Sequence, residues 1–382
     1  MGQVAPRLAA GAATSAGTGH QVGLTPIPLV DWASILEILL PVPLIVTANA
    51  AVGKPWSTIT AELVCLIAAA AALLYGIGIL AGWLAPATAS GSVAYAQQPL
   101  GVGLVALSAV VAAATWPPVM RRLARWIPID ADNPVDALAL ALAVLVIGSQ
   151  FAFAFFVDLL AFEQAQPSLD LTDLLSEQVP LLVVAAIGVG ILLRRDLRTT
   201  AQRLGLVRPA WWHLVVALAA AGVFIAFAGV MTSLSQALTP DVAHRLDTTT
   251  NHLFGGLVAN PVGVAAIAIT PAICEEMLFR GAVQPRLGVI LTALLFASIH
   301  TQYGFSFDTL AVFVIGVGLG LIRKYTNTTS SAVTHATYNL VTGVGLAGTA
   351  LGVAGLVELG LILVSVYAIK ANRRPATSTD TP

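Results

Sequence analysis

The chain has 382 residues, of which 57% are hydrophobic and 10% are charged, and its formal net charge is −1. A soluble domain carries about 25% charged residues, so the composition excludes an ordinary soluble protein, and the near-zero net charge argues against a nucleic-acid partner. The composition predicts a multi-pass membrane protein whose main surroundings are the lipid bilayer.

Apolar stretches recur along the whole chain. A membrane-spanning helix needs about 20 mostly apolar residues. About ten stretches approach that length, at 33–53, 59–84, 100–120, 135–160, 178–194, 211–238, 257–279, 288–304, 307–323 and 329–369. The last is too long for one helix, and Gly343, Gly345 and Gly348 predict a break near 347. The predicted fold is therefore an all-α, polytopic transmembrane helical bundle of about 10 to 11 spans.

The distribution of polar residues predicts the domain organisation. The first five spans are almost purely apolar, whereas nearly all the intramembrane polar groups follow the loop around 195–210. We predict the following order: a disordered N-terminal tail over 1–30, an accessory transmembrane region over 31–195, a core over 211–346, a final transmembrane helix over 347–370, and a flexible cytoplasmic tail over 371–382.

Positive residues cluster in alternate loops, and cytoplasmic loops are the ones enriched in lysine and arginine. They follow the third, fifth, ninth and last spans, at Arg121, Arg122, Arg125, Arg194, Arg195, Arg198, Arg203, Arg208, Arg323, Lys324, Lys370, Arg373 and Arg374. The loops at 85–99, 161–177 and 239–252 are acidic or poor in cations. This pattern places the C-terminus in the cytoplasm and the N-terminus outside.

Two adjacent carboxylates end the seventh predicted span, in the run PAICEEMLFRG. Glu276 and Arg280 are four residues apart, so they share a helix face and can form an ion pair. Glu275 points about 100° away and has no partner on its own helix. Each ionised group near the membrane centre costs roughly 2.5–3.5 kcal/mol on insertion scales. The cluster therefore indicates either a functional site or charges at the headgroup end of the helix.

Further polar groups follow on two later spans. His300 ends the run FASIH in a short apolar helix, and His335 and Asn339 share a helix face in HATYN. Taken singly, each histidine is equally well explained as a packing, capping or hydrogen-bonded residue of the bundle. Together with the glutamates, the set suits attack of an activated water on an amide, with a carboxylate as general base and histidine and asparagine stabilising the oxyanion.

The three motifs together resemble a known family. EExxxR at 275–280, FxxxH at 296–300 and HxxxN at 335–339 occur in the order typical of the CAAX prenyl protease 2 and bacteriocin-processing family (CPBP, or Abi-type) of intramembrane proteases. The resemblance covers 211–346 and does not extend into the first five spans. It implies a membrane endopeptidase whose substrate is a prenylated C-terminal peptide, a leader peptide or a segment of a membrane protein.

The resemblance also implies residue roles. Glu275 would be the general base on water, and Glu276 with Arg280 would be a supporting ion pair. The implied partners of the water and the oxyanion are His300, His335 and Asn339. A tilted or late-starting eighth helix is required, because His300 lies about 12 residues, or roughly 18 Å, into the predicted helix and Glu275 ends its own.

Cofactor use is left open by the residues. No HExxH sequence is present, and the favoured hypothesis needs no obligatory metal. The alternative is a zinc site, for which the ligands would be His300, His335 and Glu275. The two cysteines, Cys65 and Cys274, lie in apolar runs and are expected to be small buried residues.

Two other functions compete with proteolysis. A membrane transporter would use the buried Glu, His and Arg side chains as a proton path, and a scaffold would keep the same fold without catalysis. Transporters usually show two related halves, whereas the polar residues here lie in one half only. No GxSG or GxGD motif of other intramembrane proteases occurs. Proteolysis is therefore the favoured prediction.

Overall fold

The structure is a computed structural model that describes residues 32–85, 87–88, 91–346 and 348–372. The predicted N-terminal tail, 1–30, lies outside the described residues, as does most of the predicted C-terminal tail. That tail was expected to begin at 371, but the last described helix continues to Asn372.

The first half of the chain is helical apart from one small hairpin. Its helices are α1 (Trp32–Leu39), α2 (Val42–Ala51), α3 (Ser57–Leu80), α4 (Gln97–Thr115), α5 (Pro117–Leu123), α6 (Pro134–Phe156), α7 (Leu159–Gln164), α8 (Leu171–Gly188) and α9 (Leu197–Arg203). The two-residue strands β1 (Ala87–Thr88) and β2 (Gly91–Ser92) pair antiparallel between α3 and α4.

The second half carries the motifs and is also helical. Its helices are α10 (Trp211–Leu238), α11 (Pro240–Val258), α12 (Pro261–Glu275), a π-helix (Glu276–Val283), α13 (Gln284–Ser298), a 3₁₀ turn (Thr301–Tyr303), α14 (Phe307–Tyr325), α15 (Thr328–Val344) and α16 (Thr349–Asn372). The predicted break near 347 falls between α15 and α16, where Gly345 and Gly348 adopt φ values of 71° and 57° that favour glycine.

Eight helical segments in the described part of the chain are long and apolar enough to cross a membrane. They are Ser34–Ala51, Ser57–Leu80, Gln97–Thr115, Pro134–Phe156, Leu171–Gly188, Trp211–Leu238, Pro261–Ser298 and Thr349–Asn372. All the predicted apolar stretches coincide with helices. The difference in number arises because two predicted stretches merge in Pro261–Ser298, and because α14 and α15 fall outside this set. The all-α, polytopic helical bundle is confirmed.

The stretches predicted as loops contain the short helices α7 and α9 and one long helix, α11. The cation-poor stretch 239–252 was expected to be a loop, but it forms most of α11, which packs against α7, α10 and α12. The helix is amphipathic: Ala243, Leu246 and Leu253 are buried, while its charged side chains, Asp241, Arg245 and Asp247, are exposed. Because α11 is too polar to count as an apolar span, the search for membrane-spanning stretches did not identify it as a helix.

The two halves form one packed body. Helices α3, α4 and α6 pack on one another, and α6 also contacts α13, while α8 contacts α12 and the π-helix. Against α13, helix α14 presents Gly316 and Gly320, where an added Cβ would lie 3.3 Å and 2.9 Å from neighbouring side-chain atoms. These glycines bring the α14 backbone close enough to accept hydrogen bonds from the motif-bearing helices.

Candidate active site

The predicted ion pair forms in the π-helix and is fully buried. Arg280 Nε lies 3.4 Å from Glu276 Oε2, and neither side chain has exposed surface. Arg280 Nη2 also donates to the Gly316 carbonyl at 3.2 Å, and its guanidinium lies over the Phe296 ring at 4.4 Å. The charges are therefore enclosed by protein instead of lying at a headgroup boundary. π-helical turns are rare and often occur at functional sites.

Glu276 also joins the π-helix to α15. Ser331 donates a short hydrogen bond to Glu276 Oε2, and His335 Nδ1 lies 3.1 Å from Glu276 Oε1. A carboxylate bound to Nδ1 holds the imidazole in one orientation and leaves Nε2 available. His335 therefore contacts the supporting glutamate, whereas the sequence grouped it with Glu275.

Glu275 has a partner that the sequence did not reveal. It is 5% exposed, and Gln178 of α8 donates to its Oε1 at 3.0 Å. Its other oxygen, Oε2, is buried and has no hydrogen-bond partner among the described residues. A buried carboxylate oxygen without a donor is costly, which is typical of a group kept for chemistry. Gln178 lies in the predicted accessory region, 97 residues away in sequence, and has no local motif to mark it.

His300 lies just beyond α13, not inside a helix as predicted. Gly288, with φ 76° and ψ 177°, kinks α13 near its start, and the helix ends at Ser298. His300 Nδ1 contacts the Phe296 carbonyl at 2.7 Å. Because a carbonyl only accepts, this contact places the proton on Nδ1 and leaves Nε2 as an acceptor.

A small cavity of about 70 Å³ brings three of the predicted residues together. Its lining includes His300, His335 and Asn339 with the phenol groups of Tyr303 and Tyr338. Asn339 Nδ2 also donates to a carbonyl of α12 at 3.3 Å. The volume is enough for one or more waters held by polar groups. Glu275 is not among the lining residues, so the four predicted catalytic residues do not all share this cavity.

A larger cavity of about 530 Å³ adjoins the small one and also reaches His300. Its lining is mostly apolar and comes from both halves of the chain: α6 contributes Phe151 and Ala154, whereas α14 contributes Leu310 and Phe313. An apolar cavity with a few polar groups at one end is typical of a ligand site. His300 is thus placed between a small polar space and a large apolar one.

Polar contacts hold α7, α11 and the 3₁₀ turn together at one end of the large cavity. Asp158 pairs with Arg245, and Glu163 accepts from Thr301. Partial burial raises the pKa of Asp158, but the hydrogen bonds and charge of Arg245 outweigh it, so this pKa lies below its usual value. The pair therefore stabilises the folded protein at neutral pH.

The accessory region makes a second buried contact with the core. Arg286 Nε lies 3.0 Å from Asp136 Oδ1, and Arg286 also donates to the Ala282 and Gly188 carbonyls at 2.7 and 3.3 Å. Asp136 lies in the first turn of α6, 150 residues before Arg286. With Gln178, this pair shows that the region predicted as accessory packs directly on the motif-bearing helices.

The zinc alternative stays a prediction. Within the described ranges, no group of three or more His, Cys, Asp or Glu side chains is placed to hold a metal ion. His335 Nδ1 is occupied by Glu276 and His300 Nδ1 by a carbonyl. These Nδ1 contacts leave both Nε2 atoms free, as in metal-binding histidines, so the ligand set of His300, His335 and Glu275 stays the alternative. Cys65 and Cys274 are both buried, free thiols.

Comparison with known proteins matches the segment that carries the motifs. Residues 257–341 match the family model described as type II CAAX prenyl endopeptidase Rce1-like, a shorter stretch than the predicted core over 211–346. No curated protein and no solved structure matches the chain. The match includes all three motifs and supports a CAAX-type intramembrane protease. Residues 257–341 of this multi-pass membrane protein are therefore similar to the CAAX prenyl endopeptidase family that its motifs resemble.

Proposed function

We propose that the protein is an intramembrane endopeptidase that hydrolyses a peptide bond with a water activated by Glu275. The observation that carries the proposal is the position of His300, which lines both the small polar cavity with His335 and Asn339 and the large apolar cavity. A water in the small cavity would therefore lie beside a space that accepts an apolar part of a substrate.

In the proposed reaction, Glu275 takes a proton from water as the oxygen attacks the carbonyl carbon of the scissile bond. His300 accepts a hydrogen bond from the attacking water through Nε2, while His335 and Asn339 stabilise the negative charge that develops on the carbonyl oxygen. Glu275 then gives the proton to the leaving amine, and the C–N bond breaks. Glu275 Oε2, which has no partner at rest, is the oxygen that suits the role of base.

Glu276 and Arg280 assist the proposed reaction without touching the substrate. Glu276 orients His335 through Nδ1, and Arg280 neutralises Glu276. Glu275 lies outside the lining of the small cavity, so the reaction requires it to contact the water when substrate is bound. Catalytic hydrogen bonds often tighten only in the substrate complex.

The large cavity supports a substrate that brings an apolar group to the site. A prenylated C-terminal peptide agrees with the matched family, and a leader peptide or a membrane-protein segment would bring apolar side chains. We include all three in the proposal, with cleavage that requires neither a metal nor another cofactor. Of these three substrates, the leader peptide is the one that bacteriocin processing would use.

The proposal is tested by comparing the membrane and secreted proteomes of cells that carry the intact protein or Glu275→Ala. We expect at least one peptide or protein that is cleaved only by the intact enzyme. Glu62→Ala makes the same chemical change at an exposed position in α3 and should leave cleavage unchanged. Full cleavage by the Glu275→Ala protein would contradict the assignment of this site to proteolysis, and would leave a transporter or a scaffold as the explanation.

A further inference from the structure

A group of arginines lies at one end of the bundle, away from the cavities. They come from the segment between α8 and α10, from the start of α13 and from the end of α14. We call them the arginine cluster; its members are Arg194, Arg195, Arg203, Arg286 and Arg323. The cluster brings together residues that are more than 120 positions apart in sequence, so it is a feature of the fold and not of one basic loop.

The cluster has more positive charge than its carboxylates neutralise. Arg286 pairs with Asp136 at 3.0 Å, and the remaining contacts use uncharged oxygens. Arg194 Nη2 donates to the Asn49 side chain at 2.7 Å, and Arg203 Nη1 donates to a carbonyl of the π-helix at 3.1 Å. The other nearby acid, Asp196, is exposed and caps α9 through Thr199. The guanidinium groups thus keep donors and charge that no acid in the cluster satisfies.

The arginines also repel one another. Burial, followed by the charges of Arg286, Arg195 and Arg323, lowers the pKa of Arg203 to about 10. Burial and the charges of Arg195 and Arg286 lower the pKa of Arg194 as well. A guanidinium is protonated at neutral pH in either case, so the repulsion remains and a bound anion would relieve it.

Exposed apolar side chains lie in the same stretch of chain as three of the cluster arginines. Leu192 is 86% exposed, Leu197 is 72% exposed and Trp211 is 59% exposed. The cluster lies between the end of the span α8 and the start of the span α10. Exposed leucine and tryptophan beside arginine at the end of a span are typical of the membrane interface, where an amphipathic ligand can contact both.

We propose that the arginine cluster binds the phosphate of an anionic phospholipid, whose acyl chains lie along the exposed leucines beside it. Arginine forks match phosphate oxygens bidentately, and basic pockets between transmembrane helices bind anionic headgroups. Arg194, Arg195 and Arg203 supply the donors. Arg286 contributes charge while it stays paired with Asp136. This site is independent of the proposed proteolysis.

The experiment measures lipid binding to the full-length protein purified in detergent. Phosphatidylglycerol or phosphatidylcholine is titrated in mixed micelles, and binding is followed by native mass spectrometry and by the unfolding temperature. We expect phosphatidylglycerol to bind and raise the unfolding temperature, whereas phosphatidylcholine has little effect. Loss of two arginine contacts in the R195Q/R203Q double variant should weaken phosphatidylglycerol binding about thirtyfold.

Controls separate a defined site from general charge. Arg122→Gln with Arg125→Gln removes two exposed arginines elsewhere and should change the affinity less than about threefold. Glycerol 3-phosphate and inorganic phosphate test for a free anion, and neither should compete with the lipid at millimolar concentration. If R195Q/R203Q fails to fold, the single variant Arg194→Gln replaces it, with about a fivefold loss expected. Equal binding of the two lipids, equal losses in the cluster and control variants, or displacement by free phosphate would overturn the proposal.

Discussion

The buried pair of Glu276 and Arg280 gives the sharpest prediction. Neither side chain has exposed surface, and removing one member of a buried ion pair costs about 3–5 kcal/mol because the other charge is left uncompensated. The two replacements should differ. Arg280→Gln leaves Glu276 with the hydrogen bonds of Ser331 and His335, so the cost should lie near 3 kcal/mol.

Glu276→Gln should cost more than the arginine variant. It leaves the Arg280 guanidinium with one carbonyl, that of Gly316, and the face of Phe296. We expect a cost near 5 kcal/mol, at the upper end of the range. The double variant removes both charges, so its cost should be about 2–3 kcal/mol smaller than the sum of the two single costs.

Equilibrium unfolding in mixed micelles of a mild and a denaturing detergent measures these free energies. Glu275→Gln is the matched control, because it makes the same change at the adjacent position. Glu275 has one hydrogen bond and one unpartnered oxygen, so this variant should stay within about 1 kcal/mol of the natural protein. Equal costs for all three single variants, or strictly additive costs in the double variant, would refute the argument.

Three further outcomes are expected. Reporter fusions at Arg203 and after Arg374 should both report the cytoplasm and a fusion at Val242 the outside, so opposite results for the first two would exclude the predicted topology. Gln178→Leu should lower the cleavage rate about tenfold and destabilise the protein by about 1–3 kcal/mol, because the buried Glu275 carboxylate loses its donor. Asp158→Asn should destabilise the protein by at most about 1 kcal/mol at pH 7. The pKa of this carboxyl is lowered in the folded protein, so its contribution is present above about pH 4 and declines as pH falls. The unfolding temperatures of the two proteins should therefore approach each other as the pH is lowered.

The sequence predicts the fold well because apolar length is a strong local signal. Every predicted apolar stretch is mostly helical, and the glycines near 347 mark the break between α15 and α16. Helix α11 is the exception, since its polar surface resembles a loop in composition. The pair of Glu276 and Arg280 was also predictable from a local pattern, because residues four apart share one face of a helix.

The rest of the site depends on contacts that no local pattern reveals. Gln178 reaches Glu275 from 97 residues away, and Asp136 reaches Arg286 from 150 residues away. His335 contacts Glu276 because α15 packs on the π-helix that carries this carboxylate. Such choices are decided by packing, and one sequence carries no information on which distant helices meet.

The buried contacts between the two halves have a consequence for how the protein assembles. Because synthesis starts at the N-terminus, α6 and α8 enter the bilayer before α12 and α13 exist. At that stage Asp136 and Gln178 lack their final partners, Arg286 and Glu275. Helices with unsatisfied polar groups in lipid remain loosely associated until a partner arrives. We therefore expect the first half to reach its final packing only after the second half has been inserted.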